Sequence, residues 1–136
     1  MTKARVLASF GGASGPLTRG QVTFDQYESA LQRQVVETLD WSLPHDAIIL
    51  VIPGGDGRAT RAPGYKDGSP DTFIVYRARV IFLELKKLKG GKLSDDQIKM
   101  HARLTACGAI VLVGRTLEQV MDQLRVLVPL KGRVSA

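Results

Sequence analysis

The chain has a single cysteine, Cys107, so no internal disulfide can form, and no cluster of Cys and His has the spacing of a zinc site. A reducing compartment is the simpler expectation. Long apolar runs are also missing: nowhere do the ~18 consecutive apolar residues of a membrane-spanning helix occur. The N-terminal stretch MTKARVLASFGGASG is too short in apolar residues and too polar for a secretory leader. A soluble, cytoplasmic protein with no membrane partner is therefore expected. No internal repeat and no second block of composition divides the chain.

What is present suits one globular domain. The 136 residues are 44% hydrophobic and 24% charged, enough to bury a core. Lys and Arg outnumber Asp and Glu by 19 to 13, for a formal net charge of +6 and a pI near 9.8. Such an excess favours polyanionic partners, nucleic acid first and anionic membrane surface second, and it says nothing about fold.

Residues 1–21, rich in Gly, Ser and Thr with Lys3, Arg5 and Arg19, read as a basic arm, with a short strand at ARVLASF as the alternative. The domain proper is expected over 22–130, and 131–136 as a basic, frayed tail. TFDQ at Thr23 offers a helix start, followed by Tyr27, Leu31, Val35 and Leu39 at helical spacing. AIILVI, 47–52, is a continuous apolar run that predicts a strand covered on both faces. A long segment dense in Gly and Pro follows, GGDGRATRAPGYKDGSP, carrying Arg58, Arg61 and Lys66, and a loop of this length tends to be functional.

DTFIVY and VIFLELK predict two strands of a hairpin turning through 77–79. SDDQ at Ser94 opens a helix that Gly108 closes, AIVLV predicts a second buried strand, and TLEQ at Thr116 starts a last helix stopped by Pro129. Helix, strand, hairpin, helix, strand, helix is the pattern of an α/β domain with a mixed sheet flanked by helices on both faces.

Two charges sit inside the greasiest strand. Glu84 and Lys86, two residues apart, share one face while Leu83 and Leu85 take the other. Asp71 opens the preceding strand, and hairpin pairing would bring it level with Glu84. Burying such groups unpaired costs several kcal/mol, roughly, unless a counter-charge or a metal compensates. Mg²⁺ takes one or two carboxylates, waters and a phosphate oxygen, which Asp71 and Glu84 would suit, with the backbone carbonyl of Leu85 as a further ligand. Lys86 would then orient the attacking water or stabilise developing charge. The alternative is a ladder of solvated charges, with Asp71 an ordinary residue after Pro70.

A Pro-Asp before one strand, followed by Glu, an apolar residue and Lys in the next, resembles the signature of the PD-(D/E)XK nuclease superfamily. More closely, the run from Glu28 to Val128 is similar to a stand-alone VRR-NUC domain, the virus-type replication and repair nuclease module. The matching pieces are ESALQRQVVETL, IPGGDGR, GSPDTFIV, FLELKK, KLSDDQ and CGAIVLVGRTLEQVMDQL, over roughly three quarters of the chain. One departure is Gly54, where the family often has Asn after the Pro of the loop following the first strand.

The resemblance implies a restriction-endonuclease-like core that cuts DNA with Mg²⁺ or Mn²⁺. Asp71 and Glu84 would be metal ligands, Lys86 the catalytic lysine, Glu28 an outer member of the metal site and Gln97 the glutamine after the Glu-x-Lys strand. Two alternatives stay open: Glu28 as a solvated helix acid, and Gln97 as nothing more than a capping residue. Arg58, Arg61, Lys66 and Lys87 would grip DNA phosphates, or be merely solvated. Stand-alone members of the family imply branched DNA, such as a four-way junction, cut by a homodimer. The rival expectation is a non-catalytic nucleic-acid-binding module with the same fold. His45 and His101 are expected to be ordinary surface or core histidines, and Cys107 a small buried hydrophobe.

Overall fold

The computed structural model describes residues 24–52 and 66–132. Leu31, Val35 and Leu39 recur every four residues and are buried along one stripe of α1 (Phe24–Ser42). The helix continues past its expected end at Leu39. Ser42 Oγ donates to the Thr38 carbonyl at 2.8 Å, and the chain turns only at Pro44. The proposed cap at Thr23 lies outside the described residues.

Four strands, β1 (Ala47–Val51), β2 (Thr72–Tyr76), β3 (Arg79–Leu85) and β4 (Ile110–Gly114), form one sheet in the order β1-β2-β3-β4. The first two pairings are antiparallel and the third is parallel. Period-two alternation sends Thr72, Ile74 and Tyr76 of β2 and Ile81, Leu83 and Leu85 of β3 to one face, all buried. They meet Leu31, Val35 and Leu39 of α1 and Val120, Met121 and Leu124 of α3 (Leu117–Arg125) in a single core. The other face carries Phe73, Phe82 and Glu84, the two rings tilted with centroids 5.6 Å apart. There α2 (Asp95–Ala106), the crossover between parallel β3 and β4, packs against β4 and reaches Glu84. The result is an α/β domain with a mixed sheet and helices on both faces.

β2 and β3 join through Arg77 and Ala78, inside the closing pair Tyr76 and Arg79. Both loop residues have positive φ, 49° and 64°, the hand that matches strand twist in a two-residue hairpin. Arg77 Nε donates to Asp46 Oδ2 at 3.0 Å, and its guanidinium stands 5.3 Å over the Tyr76 ring.

Three expectations are corrected. AIILVI was expected to be covered on both faces and AIVLV to be a buried strand, yet β1 and β4 are the edges of the described sheet and most of β4 is only half-buried. On β1 Ile49 is buried in the core and Ala47 packs against it, half-buried. Ile48 and Leu50, on the opposite face, are exposed, and so is Val51 at the strand's end; among the described helices only α1 packs against β1. Cys107 is exposed, not buried: it occupies the C-cap of α2, in the turn that leads through Gly108 (φ 95°) to β4. The start of the tail is packed, since the Lys131 N–H donates to the Ser42 carbonyl at 2.6 Å and Gly132 abuts the Trp41 ring. Among the described residues, no helix is long and apolar enough to cross a membrane.

Candidate functional site

The open end of the β2–β3 hairpin gathers the charges. Thr72 pairs with Leu83, so one further step of the antiparallel register sets Asp71 opposite Glu84. The Ile52 N–H donates to the Asp71 carbonyl at 2.8 Å, which extends the β1–β2 ladder and pins the Asp71 backbone. Its side chain remains exposed at the strand mouth. Gln32 Nε2 donates to Asp71 Oδ1 at 3.1 Å and to Thr72 Oγ1 at 2.9 Å, and Thr72 Oγ1 donates to the same Asp71 oxygen at 3.1 Å.

Glu84 is in the opposite condition. It is only 8% exposed and Lys86 only 7%. Burial pushes the Glu84 carboxyl above its ordinary value of 4.5; His101 and Lys86 pull it back in part, and the Asp71 charge raises it further. These are not solvated charges on an open face. Lys86 follows the last residue of β3, and its N–H donates to the Gly114 carbonyl at 3.0 Å. That bond turns the backbone polar groups of Leu85 away from β4 and toward β2. The register position opposite Leu85 is Pro70, which has no N–H to offer its carbonyl.

Two residues of α2, one helical turn apart, hold the two oxygens of Glu84. Gln97 Nε2 donates to Oε2 at 3.2 Å, and His101 Nε2 lies 3.0 Å from Oε1. Gln97 is at once a cap and a site residue. Its Oε1 accepts the Ser94 N–H at 2.9 Å while Ser94 Oγ accepts the Gln97 N–H at 3.1 Å, a complete capping box. The box orients the amide, so its NH₂ end is the one presented to Glu84.

Glu28 reaches the same end of the sheet from the first turns of α1. Its Oε2 accepts the Lys87 N–H at 3.1 Å. Arg115 Nη1 donates to the Lys87 carbonyl at 2.9 Å, and Tyr27 Oη to the Arg115 carbonyl at 2.8 Å. Lys87 is thus tied at both backbone groups just past the buried charges. Lys66 is exposed, and its carbonyl accepts from Ser69 N and Ser69 Oγ at 3.2 and 2.7 Å. Arg58 and Arg61 lie outside the described residues.

Three participants escaped the sequence reading. His101, taken there as an ordinary histidine, contacts Glu84; Gln32 holds Asp71. Each stands four residues from a residue already singled out, Gln97 and Glu28, and that spacing was the available signal. The third is Gly68, with φ 83°. A Cβ there would stand 2.2 Å from the Asp96 carbonyl oxygen and 2.7 Å from Gln97 N, so the segment leading to Asp71 packs directly on the start of α2. Only glycine permits that approach.

No family model matches the chain, and no curated protein or solved structure matches it either. The chemistry must be read from the site itself. Among the described residues no three His, Cys, Asp or Glu side chains are grouped closely enough to hold a metal by themselves. Asp71 and Glu84 offer two hard carboxylates at one end of the sheet. That donor set fits a hydrated divalent ion such as Mg²⁺, which keeps several waters and takes few protein ligands.

Proposed function

We propose that this chain is a metal-dependent DNA endonuclease of the PD-(D/E)XK kind, a VRR-NUC-like module acting on branched DNA as a homodimer. The observation that supports it most is the β2–β3 register, which sets Asp71 opposite Glu84 with the buried Lys86 on the same strand face. A buried glutamate whose carboxyl is pushed up by desolvation has little purpose as a structural charge, since an apolar residue would fill the place at lower cost. It has a purpose if a cation joins it.

In this reading Asp71, Glu84 and the Leu85 carbonyl would hold Mg²⁺ or Mn²⁺, with Glu28 outside them. Such an ion, when bound, polarises a phosphoryl oxygen and eases deprotonation of water. Lys86, dry and fixed beside Glu84, orients the attacking water and stabilises the charge that grows on the phosphoryl oxygens. Gln97 keeps Glu84 aimed. Lys66 and Lys87 flank the site where a phosphate backbone would run, and the net charge of +6 favours a polyanion. A homodimer follows from the substrate: cutting two strands of a junction symmetrically takes two sites, and this chain offers one.

The test is a panel of labelled four-way junction, flap, single-stranded and duplex DNAs incubated with Mg²⁺, Mn²⁺ or EDTA. Cleavage with either metal and none with EDTA is expected, strongest on branched substrates. Binding of equal strength with and without metal, and no scission of any form, would favour a non-catalytic binding module. A molecular mass by light scattering that stays monomeric at working concentration would count against paired junction cleavage.

A further inference from the structure

We propose that His101 is a positioning residue for Glu84, forming with Gln97 a two-point clamp on one face of α2 that sets the plane of the Glu84 carboxylate. The inference rests on the nuclease reading above for its consequence, and on geometry for its premise. A carboxylate at the end of a glutamate turns about a broad, weakly preferred torsion. Held at one oxygen, it can still swing. Here both oxygens are held, Oε2 by Gln97 Nε2 at 3.2 Å and Oε1 by His101 Nε2 at 3.0 Å.

The two donors are themselves fixed. Gln97 is locked by the capping box with Ser94. His101 rides one turn further along the same helix, next to Met100, which is buried. The His101 and Glu84 side chains are only 12% and 11% exposed, so water competes little for either. Against an ionised carboxylate, which can only accept, Nε2 must carry the proton, and this pairing selects the tautomer. Each carboxylate oxygen keeps a second lone pair after accepting one hydrogen bond. His101 and Gln97 therefore leave Glu84 free to ligate while deciding which way it faces. In the proposed role His101 ligates no metal and contacts no substrate. It acts through Glu84, as hydrogen-bonding partners outside a metal's ligand shell do.

The test is Mn²⁺ binding by calorimetry without DNA, together with the Mn²⁺ concentration that half-activates cleavage, for wild type, His101→Ala, His101→Gln and His101→Asn. Loss of such a partner weakens metal affinity by about 10- to 100-fold. His101→Ala should show that loss in both readouts and regain cleavage when Mn²⁺ is raised. Gln places its amide nitrogen about where Nε2 stands and should restore much of the affinity; Asn, too short, should not. A merely structural role would lower the melting temperature of the variants and leave the metal requirement of the folded fraction unchanged. If folded His101→Ala, or folded His101→Asn should the alanine variant fail to fold, binds Mn²⁺ as wild type does, the clamp is refuted while the nuclease reading stands. If wild type itself neither binds Mn²⁺ nor cleaves DNA, both fall.

Discussion

A carboxylate is paired near each end of the β2–β3 hairpin, and the two pairs could hardly be more different. At the turn, Arg77 and Asp46 meet at 3.0 Å with side chains 70% and 38% exposed; water screens them, and pairs of that kind contribute little. At the open end, Glu84 and His101 also meet at 3.0 Å, but in a place so dry that burial raises the carboxyl of Glu84. The same two strands therefore hold one carboxylate contact that the fold barely notices and another that the fold must be built around. Gln97, Lys86 and Asp71 act on the second, and Gly68 packs the segment before Asp71 on the start of α2. A fold tolerates such a cluster when something besides stability maintains it, and chemistry at Glu84 is the reading that supplies it.

The contrast can be broken or sharpened in several ways. The largest effect is expected at the dry end: Lys86→Ala or Asp71→Asn should lower single-turnover DNA cleavage by about 10²-fold or more while circular dichroism shows a folded chain. Next is Gly68→Ala. A left-handed backbone costs a non-glycine residue roughly 1–2 kcal/mol, and the added Cβ has no room beside Asp96, so a loss on the order of 3 kcal/mol is expected in chemical denaturation.

Glu84→Gln should act on stability through pH. The folded state holds the Glu84 proton more tightly than the unfolded chain does, so its contribution is fully present below the ordinary value of 4.5. It is lost as pH rises through the elevated folded value. The glutamine keeps the neutral form at every pH: its oxygen accepts from Gln97 and its NH₂ donates to the Nε2 lone pair of His101. Without divalent ions, Glu84→Gln should melt above wild type at pH 8, and the gap should close near pH 4. A wild type more stable than the variant at pH 8 would contradict the burial argument. The smallest effect belongs to the turn, where a double-mutant cycle of Asp46→Ala and Arg77→Ala should return a coupling indistinguishable from zero in 0.15 M salt.

The hairpin and its charges were readable because period two is a local property: Glu84 and Lys86 share a face in any strand, and a short turn nearly dictates that Asp71 comes level with Glu84. The helices were readable for the same reason, through Leu31, Val35 and Leu39 and through Val120, Met121 and Leu124. The order of strands was not. AIILVI and AIVLV read as covered strands because each is apolar throughout, but apolar composition does not say how many neighbours a strand has, and both are edges of the described sheet. Gln97 was ambiguous between cap and site because the capping box uses its oxygen and backbone, and nothing local reveals where its NH₂ points. His101 was missed since its contact depends on how α2, packed on β4, reaches past it to Glu84 on β3. Cys107 was misjudged because a residue before a helix-ending glycine is placed by the turn rather than by its own hydrophobicity.

The most direct measurement compares wild type with Glu84→Gln on a labelled four-way junction in Mn²⁺, with EDTA as the blank. Glu84→Gln keeps the size of the side chain and removes the negative charge, with the His101 hydrogen bond reversed in direction. Cleavage by wild type in Mn²⁺, none in EDTA, and a loss of about 10²-fold or more in a variant as well folded as its parent is the expected result. Equal cleavage by the two proteins, or no metal-dependent cleavage by wild type, would contradict a catalytic purpose for the buried glutamate.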